Sequence, residues 1–148
     1  MPRIERSARA VWEGSSAKGS GILSAETGAF AALAISEPTR VADPQGQTSP
    51  EELLAAAHAG CLAMSIAAEL TRAKAPPERL EVSITVRMDE RDGSHEIVAS
   101  TADVAARAAI DPEGFDRAVA DGHAGCPFSR LLERSGADVQ VNATLEEG

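Results

Sequence analysis

The chain has 148 residues, enough for one domain with a real core and too few for two full-sized ones. Hydrophobic residues make up 43% and charged residues 25%, with a formal net charge of −9 from 14 Lys+Arg and 23 Asp+Glu. So acidic a surface repels a phosphate backbone, and with aromatics at 3% and no Tyr there is no platform for base stacking, so nucleic-acid binding is not expected. The charged start, Met1 to Arg6, carries no apolar h-region. The longest apolar stretch, Leu53 to Ala68, is broken by His58 and Ser65 and reads as too short and too polar-flanked to span a bilayer. The expected setting is therefore a reducing, cytoplasmic one, without membrane.

In chain order, Ile4 to Glu13 reads as a strand, Gly14 to Gly21 as a turn, and Ile22 to Ser24 and Phe30 to Ile35 as further short strands. Glu37 to Ser49 reads as a loop that carries Arg40. The sharpest local signal follows. Ser49-Pro50-Glu51-Glu52 is a capping box with Pro at the first helical position, and it opens a helix expected from Pro50 to about Arg72. Its middle is apolar on nearly every face, which predicts burial all round. A chain of this size has little material to surround such a helix, and the small side chains admit another helix closely. A dimer is therefore expected.

Ala75-Pro76-Pro77 ends that helix; Leu80 to Glu90 alternates as a half-buried strand, Arg91 to Ser94 turns, and Glu96 to Ala105 returns. A second helix is predicted from Asp111 to about Gly122, a third from Cys126-Pro127 to Leu132 or Glu133, and a last strand from Val139 to Leu145. The order is α+β, in a single domain spanning residues 1–148.

The two cysteines, Cys61 and Cys126, stand in similar settings, His58-Ala59-Gly60-Cys61 and His123-Ala124-Gly125-Cys126. Three readings stand side by side: two buried small hydrophobes, a Cys₂His₂ zinc site, or a redox pair of attacking and resolving thiols. The redox reading has a physical requirement, because only the thiolate is a good nucleophile. Cys61 lies too deep in its helix to feel the positive end of that helix, and burial raises its pKa. A fixed cation has to lower it. Arg40 is the candidate, with Glu51 available to hold it; a solvated loop arginine and a first-turn dipole partner are their plainer roles. Cys126 precedes Pro127 as an N-cap, where free N–H groups favour a thiolate. Glu51 and Cys61 are ten residues apart on one helix, about 15 Å, so one arginine hardly touches both in the same chain. If the three share a site, either the Glu or the Arg comes from the other subunit.

The run Thr48 to Cys61, with Ala124-Gly125-Cys126-Pro127-Phe128-Ser129 as second anchor, resembles the osmotically inducible protein C and organic hydroperoxide resistance (OsmC/Ohr) family. Trp12-Glu13-Gly14, Gly19 to Leu23 and Pro38-Thr39-Arg40 support the match, and the arginine just before the helix is similar to the OsmC branch. The resemblance implies an intertwined homodimer with long central buried helices flanked by mainly antiparallel sheets. It implies a thiol peroxidase in which Cys61 is the peroxidatic thiolate, Cys126 the resolving thiol, Arg40 the activating group and Glu51 its anchor. An external dithiol, of lipoyl type as in relatives, would reset the enzyme, and no metal or organic cofactor would be required. Leu62 and Met64 beside Cys61, and Phe128 beside Cys126, suggest an organic hydroperoxide as substrate. His58 fits the family helix as a packing or hydrogen-bonding residue, whereas His123 is not a family feature and leaves a metal open. The competing expectation is a non-catalytic dimeric protein of the same fold that binds a small apolar ligand or zinc.

Overall fold

A computed structural model describes residues 2–147. It divides into two compact units, one up to Leu53 and one from Leu54 onward.

The first unit is an antiparallel meander of β1 (Ala8–Glu13), β2 (Ser20–Ala25) and β3 (Leu33–Ile35). β1 starts four residues later than the sequence predicts. β2 ends at Ala25, opposite Ala8, so the earlier residues have no strand to pair with there. Trp12 faces Gly21 across the ladder. A Cβ at that glycine would lie 2.8 Å from the Trp12 ring and 3.0 Å from Ile35, so the indole takes the space that the missing side chain leaves. The loop expected over Glu37 to Ser49 contains a short helix, α1 (Glu37–Val41). Ser36 caps it by accepting from the Thr39 N–H, and Pro38 lies in its first turn. The proline that argues for a loop is thus a helix-start proline.

α2 (Pro50–Arg72) runs over the predicted range. Ser49 Oγ accepts from the Glu52 N–H at 3.1 Å, the first half of the capping box. Glu52 turns to the Thr48 hydroxyl instead, accepting it at 2.8 Å. The helix as a whole is long and apolar enough to cross a membrane by length and composition, a test that the core helix of a globular protein passes as well. Its burial is not all round. One stripe is buried, His58, Leu62, Ile66 and Leu70, at the four-residue step of a core-facing helix, while Met64 is 76% exposed. Within the second unit this helix is covered on one side.

The second unit supplies that cover. β4 (Arg79–Arg91) and β5 (Ser94–Arg107) form a long hairpin whose turn residues Asp92 and Gly93 both have positive φ, the condition for a two-residue turn matching the strand twist. α3 (Pro112–Gly125) and α4 (Pro127–Arg134) then carry the chain back, so that β6 (Asp138–Leu145) pairs with β5 in parallel. Leu62, Ile66 and Leu70 of α2 pack with Ala102, Val104 and Ala106 of β5 and with Phe115, Ala118 and Val119 of α3. Gly122 sits where α3 meets α2: a Cβ there would come within 2.8–3.0 Å of Ile66, including its backbone. The architecture is α+β, with two three-stranded sheets that are antiparallel except for the β5–β6 pair.

Candidate functional site

The four residues singled out by sequence fall into two pairs. In the first unit, Arg40 stands in the last turn of α1 and Glu51 in the first turn of α2. The Arg40 Nε donates to both carboxylate oxygens of Glu51, at 3.0 and 3.1 Å, and a terminal guanidinium nitrogen donates to Oε1 as well. This forked geometry matches a planar guanidinium to a planar carboxylate. The hydrogen bond from Arg40 pulls the Glu51 pKa below the ordinary carboxylate value, against the opposing effect of burial, and the same contact raises that of Arg40. Glu51 therefore anchors Arg40 within one chain.

In the second unit, Cys61 lies midway along α2, partly buried, and Cys126 caps α4 and is fully buried. Both thiols are free, and their sulfurs are 3.3 Å apart with Cys126 donating toward Cys61. Cys126 is the N-cap expected from its proline neighbour: its sulfur accepts from the Ser129 N–H at 3.5 Å. Cys61 shares that helix start, because the Phe128 N–H hydrogen bonds to its sulfur and Arg130 adds a positive charge. Both favour the thiolate. Burial and the neighbouring Cys126 oppose them and prevail, so the Cys61 pKa is raised. The contacts of the second unit thus bring the sulfurs together but leave Cys61 short of positive charge.

His58 is fully buried one turn before Cys61. Its Nδ1 hydrogen bonds to Ser100 Oγ at 2.7 Å and its Nε2 to Ser129 Oγ at 2.8 Å. Both ring nitrogens are engaged by hydroxyls. His123 bonds through Nδ1 to Ser129 Oγ at 3.2 Å and through Nε2 to Glu133 at 3.0 Å. Among the described residues no group of three or more His, Cys, Asp or Glu side chains is arranged to hold a metal. Of the apolar neighbours expected to face a substrate, Leu62 instead points into the core, while Met64 and Phe128 are open on the surface.

Sequence reasoning did not find Ser100, Ser129 or Arg130 as parts of this site. Ser129 and Arg130 carried a signal, since they follow the Cys126 cap by three and four residues, the spacing of one helix face. Ser100 carried none, because its place beside His58 is a product of the β5 register.

The model of the OsmC-like protein family matches residues 43–142. Peroxiredoxin OsmC of Escherichia coli is 33% identical over 132 residues, covering 88% of this chain and 91% of that protein. The crystal structure of the organic hydroperoxide resistance protein OhrB of Bacillus subtilis superposes with a TM-score of 0.70 at 25% identity, covering 93% of this chain and 98% of that one. An OsmC-like protein from Mycoplasma pneumoniae shares the fold with a TM-score of 0.78 at 14% identity, over 97% and 99% of the two chains.

Proposed function

The chain belongs to the OsmC-like protein family, and from that premise we propose that it is a cysteine-based peroxidase reducing organic hydroperoxides to alcohols. The observation that carries this reading is the contact of two free sulfurs, 3.3 Å apart, at the start of α4. The Cys61 thiolate attacks the peroxide, forming an S–O bond as the O–O bond breaks. The departing alkoxide takes a proton and leaves as alcohol, and Cys61 becomes a sulfenic acid. The Cys126 sulfur then bonds to Cys61; the S–OH bond breaks and water leaves with the thiol proton. An external dithiol of lipoyl type reduces the disulfide by exchange and is itself oxidised to a disulfide. The scheme requires no metal or organic cofactor.

Arg40 supplies the charge that Cys61 lacks within its own unit. Glu51 precedes Cys61 by ten residues of continuous helix, about 15 Å, and Arg40 is forked onto Glu51. In this reading the Arg40–Glu51 pair of one chain serves the Cys61 of a second, and the working enzyme is a homodimer. The open side of α2, with Met64 exposed, supports a partner helix. Two free thiols suit a reducing, cytoplasmic setting.

Free thiols counted before and after one equivalent of an aryl-alkyl hydroperoxide test the reading. The peroxidase loses both thiols and forms an intramolecular disulfide; a binding protein of the same fold loses neither. Cys61→Ser abolishes peroxide consumption, while Cys126→Ser allows one turnover and then stalls. Intact thiols in wild-type protein after peroxide would overturn the proposal.

A further inference from the structure

His58 is a buried titratable group that the scheme above leaves without a task. It lies three residues before Cys61 on α2, and Ser129 lies three residues after Cys126 on α4. The two helices are therefore joined by two rungs, Cys61–Cys126 at 3.3 Å and His58–Ser129 at 2.8 Å. The second rung continues in both directions, to Ser100 on β5 and through His123 on α3 to Glu133 on α4.

For neutral rings, the Glu133 carboxylate sets the direction of this chain. The Glu133 carboxylate only accepts, so His123 donates to it from Nε2. With the ring neutral, His123 Nδ1 then accepts the Ser129 hydroxyl proton. The Ser129 oxygen accepts from His58 Nε2–H, and His58 Nδ1 accepts from the Ser100 hydroxyl. In this one order the neutral rings and both hydroxyls all use the protons they carry. A fully satisfied buried network of this kind holds its members in a single arrangement.

We infer that the Ser100–His58–Ser129–His123–Glu133 chain is a positioning device for disulfide closure. It locks the first turn of α4 against α2 and so keeps the Cys126 sulfur in reach of Cys61. The inference rests on the peroxidase reading for its biological use, but not for its geometry. In the resolving step the S–S bond forms as the Cys61 S–OH bond breaks, and the Cys126 thiol proton leaves with the hydroxyl as water. The oxidant is the hydroperoxide already consumed. A disulfide has an S–S length of about 2.05 Å, so the sulfurs must close by roughly 1.3 Å from their present contact. That is a small adjustment only while the helices stay in register. Ser129 links the two rungs, since its N–H donates to Cys126 and its hydroxyl lies between two imidazoles.

The test compares wild type, Ser129→Ala and Ser129→Thr as full-length protein. Alanine removes the hydroxyl and keeps the backbone N–H to Cys126, whereas threonine restores a hydroxyl. In a glutathione redox buffer, the dithiol–disulfide equilibrium of Ser129→Ala is expected to shift about tenfold toward the dithiol, the scale of one buried hydrogen bond, with threonine recovering part of the shift. After one equivalent of hydroperoxide, Ser129→Ala should also yield more sulfenic acid trapped by a 1,3-diketone for each Cys61 oxidised. An unchanged equilibrium in folded Ser129→Ala overturns the inference. A wild-type chain that ignores hydroperoxide, with the redox-buffer shift still present, overturns the peroxidase reading and leaves the positioning device standing. Should Ser129→Ala not fold, Glu133→Ala at the exposed end of the chain releases the His123 orientation and should shift the equilibrium the same way, about threefold. No shift there overturns the inference as well.

Discussion

The two units solve opposite problems. From Leu54 onward, α2, α3 and the β4–β5–β6 sheet bury a continuous set of aliphatic side chains and Phe115, and among the described residues every buried large hydrophobic one lies there. Up to Leu53, Gly21 is the one buried position among the described residues, all six residues of β1 are exposed, and Val11, Trp12 and Ile22 stand open. The two candidate pairs are accordingly held in different ways. The sulfur pair is held by a core the chain makes for itself, while the Arg40–Glu51 pair is held by a helix cap and an ion pair on a nearly coreless meander. In the proposed dimer, a second chain supplies the cover that the meander lacks.

Core truncation gives the largest expected contrast. Ile66→Ala should destabilise by about 2–5 kcal/mol, read from urea unfolding, at any protein concentration. Ile22→Ala, on the exposed face of β2, should cost less than about 1 kcal/mol in dilute protein and more as concentration rises and a partner covers it. Equal, concentration-independent losses at the two positions would erase the contrast.

Next comes Arg40→Ala. Removing the cation proposed for the Cys61 thiolate should slow Cys61 oxidation by about a hundredfold in stopped-flow peroxide reactions. The unfolding midpoint should barely move, because an ion pair with a part-exposed arginine contributes less than about 1 kcal/mol. A large stability loss at unchanged rate would make the pair a structural clamp. Gly122→Ala should cost about 1–3 kcal/mol, since the added methyl meets the Ile66 backbone, which cannot rotate aside. Gly60→Ala on the open side of α2, where a Cβ meets nothing within 4 Å in the single chain, is the paired control. It should be neutral or slightly stabilising in dilute protein.

What was legible in the sequence follows the same division. The start of α2 was readable to the residue and its end approximately, because Ser49 and Pro50 start it locally and the Pro76-Pro77 pair forbids its continuation. The β4–β5 turn and the α3 and α4 starts were readable for the same reason, as local chemistry fixes each. The cysteine pair and Arg40–Glu51 were legible as candidates from what a thiolate requires, and the family resemblance added the roles proposed for them. The start of β1 was not legible, because it depends on where β2 ends. Nor was α1, whose proline serves a helix start as readily as a loop. The buried partners of His58 were also hidden, because Ser100 and Ser129 lie 42 and 71 residues away and meet it only when β5 and α4 are in place.

The smallest effect separates the units by pH. Burial is the main cause, and the nearby His123 the second, that lowers the His58 pKa from its ordinary 6.5. Above that value His58 is neutral in folded and unfolded chains alike and contributes no pH dependence. As pH falls below 6.5 the unfolded chain takes up a proton that the folded chain refuses, so the unfolded state binds more protons and stability declines until the lowered folded value is reached. Glu51 acts later. Its pKa is lowered from 4.5, chiefly by the Arg40 hydrogen bond, so its contribution is whole above 4.5 and is lost as pH drops through the folded value. Urea titrations over a pH series should therefore show two successive declines. His58→Gln should remove the earlier one and Glu51→Gln the later one. If His58→Gln leaves the decline below 6.5 intact, the buried imidazole is not its source.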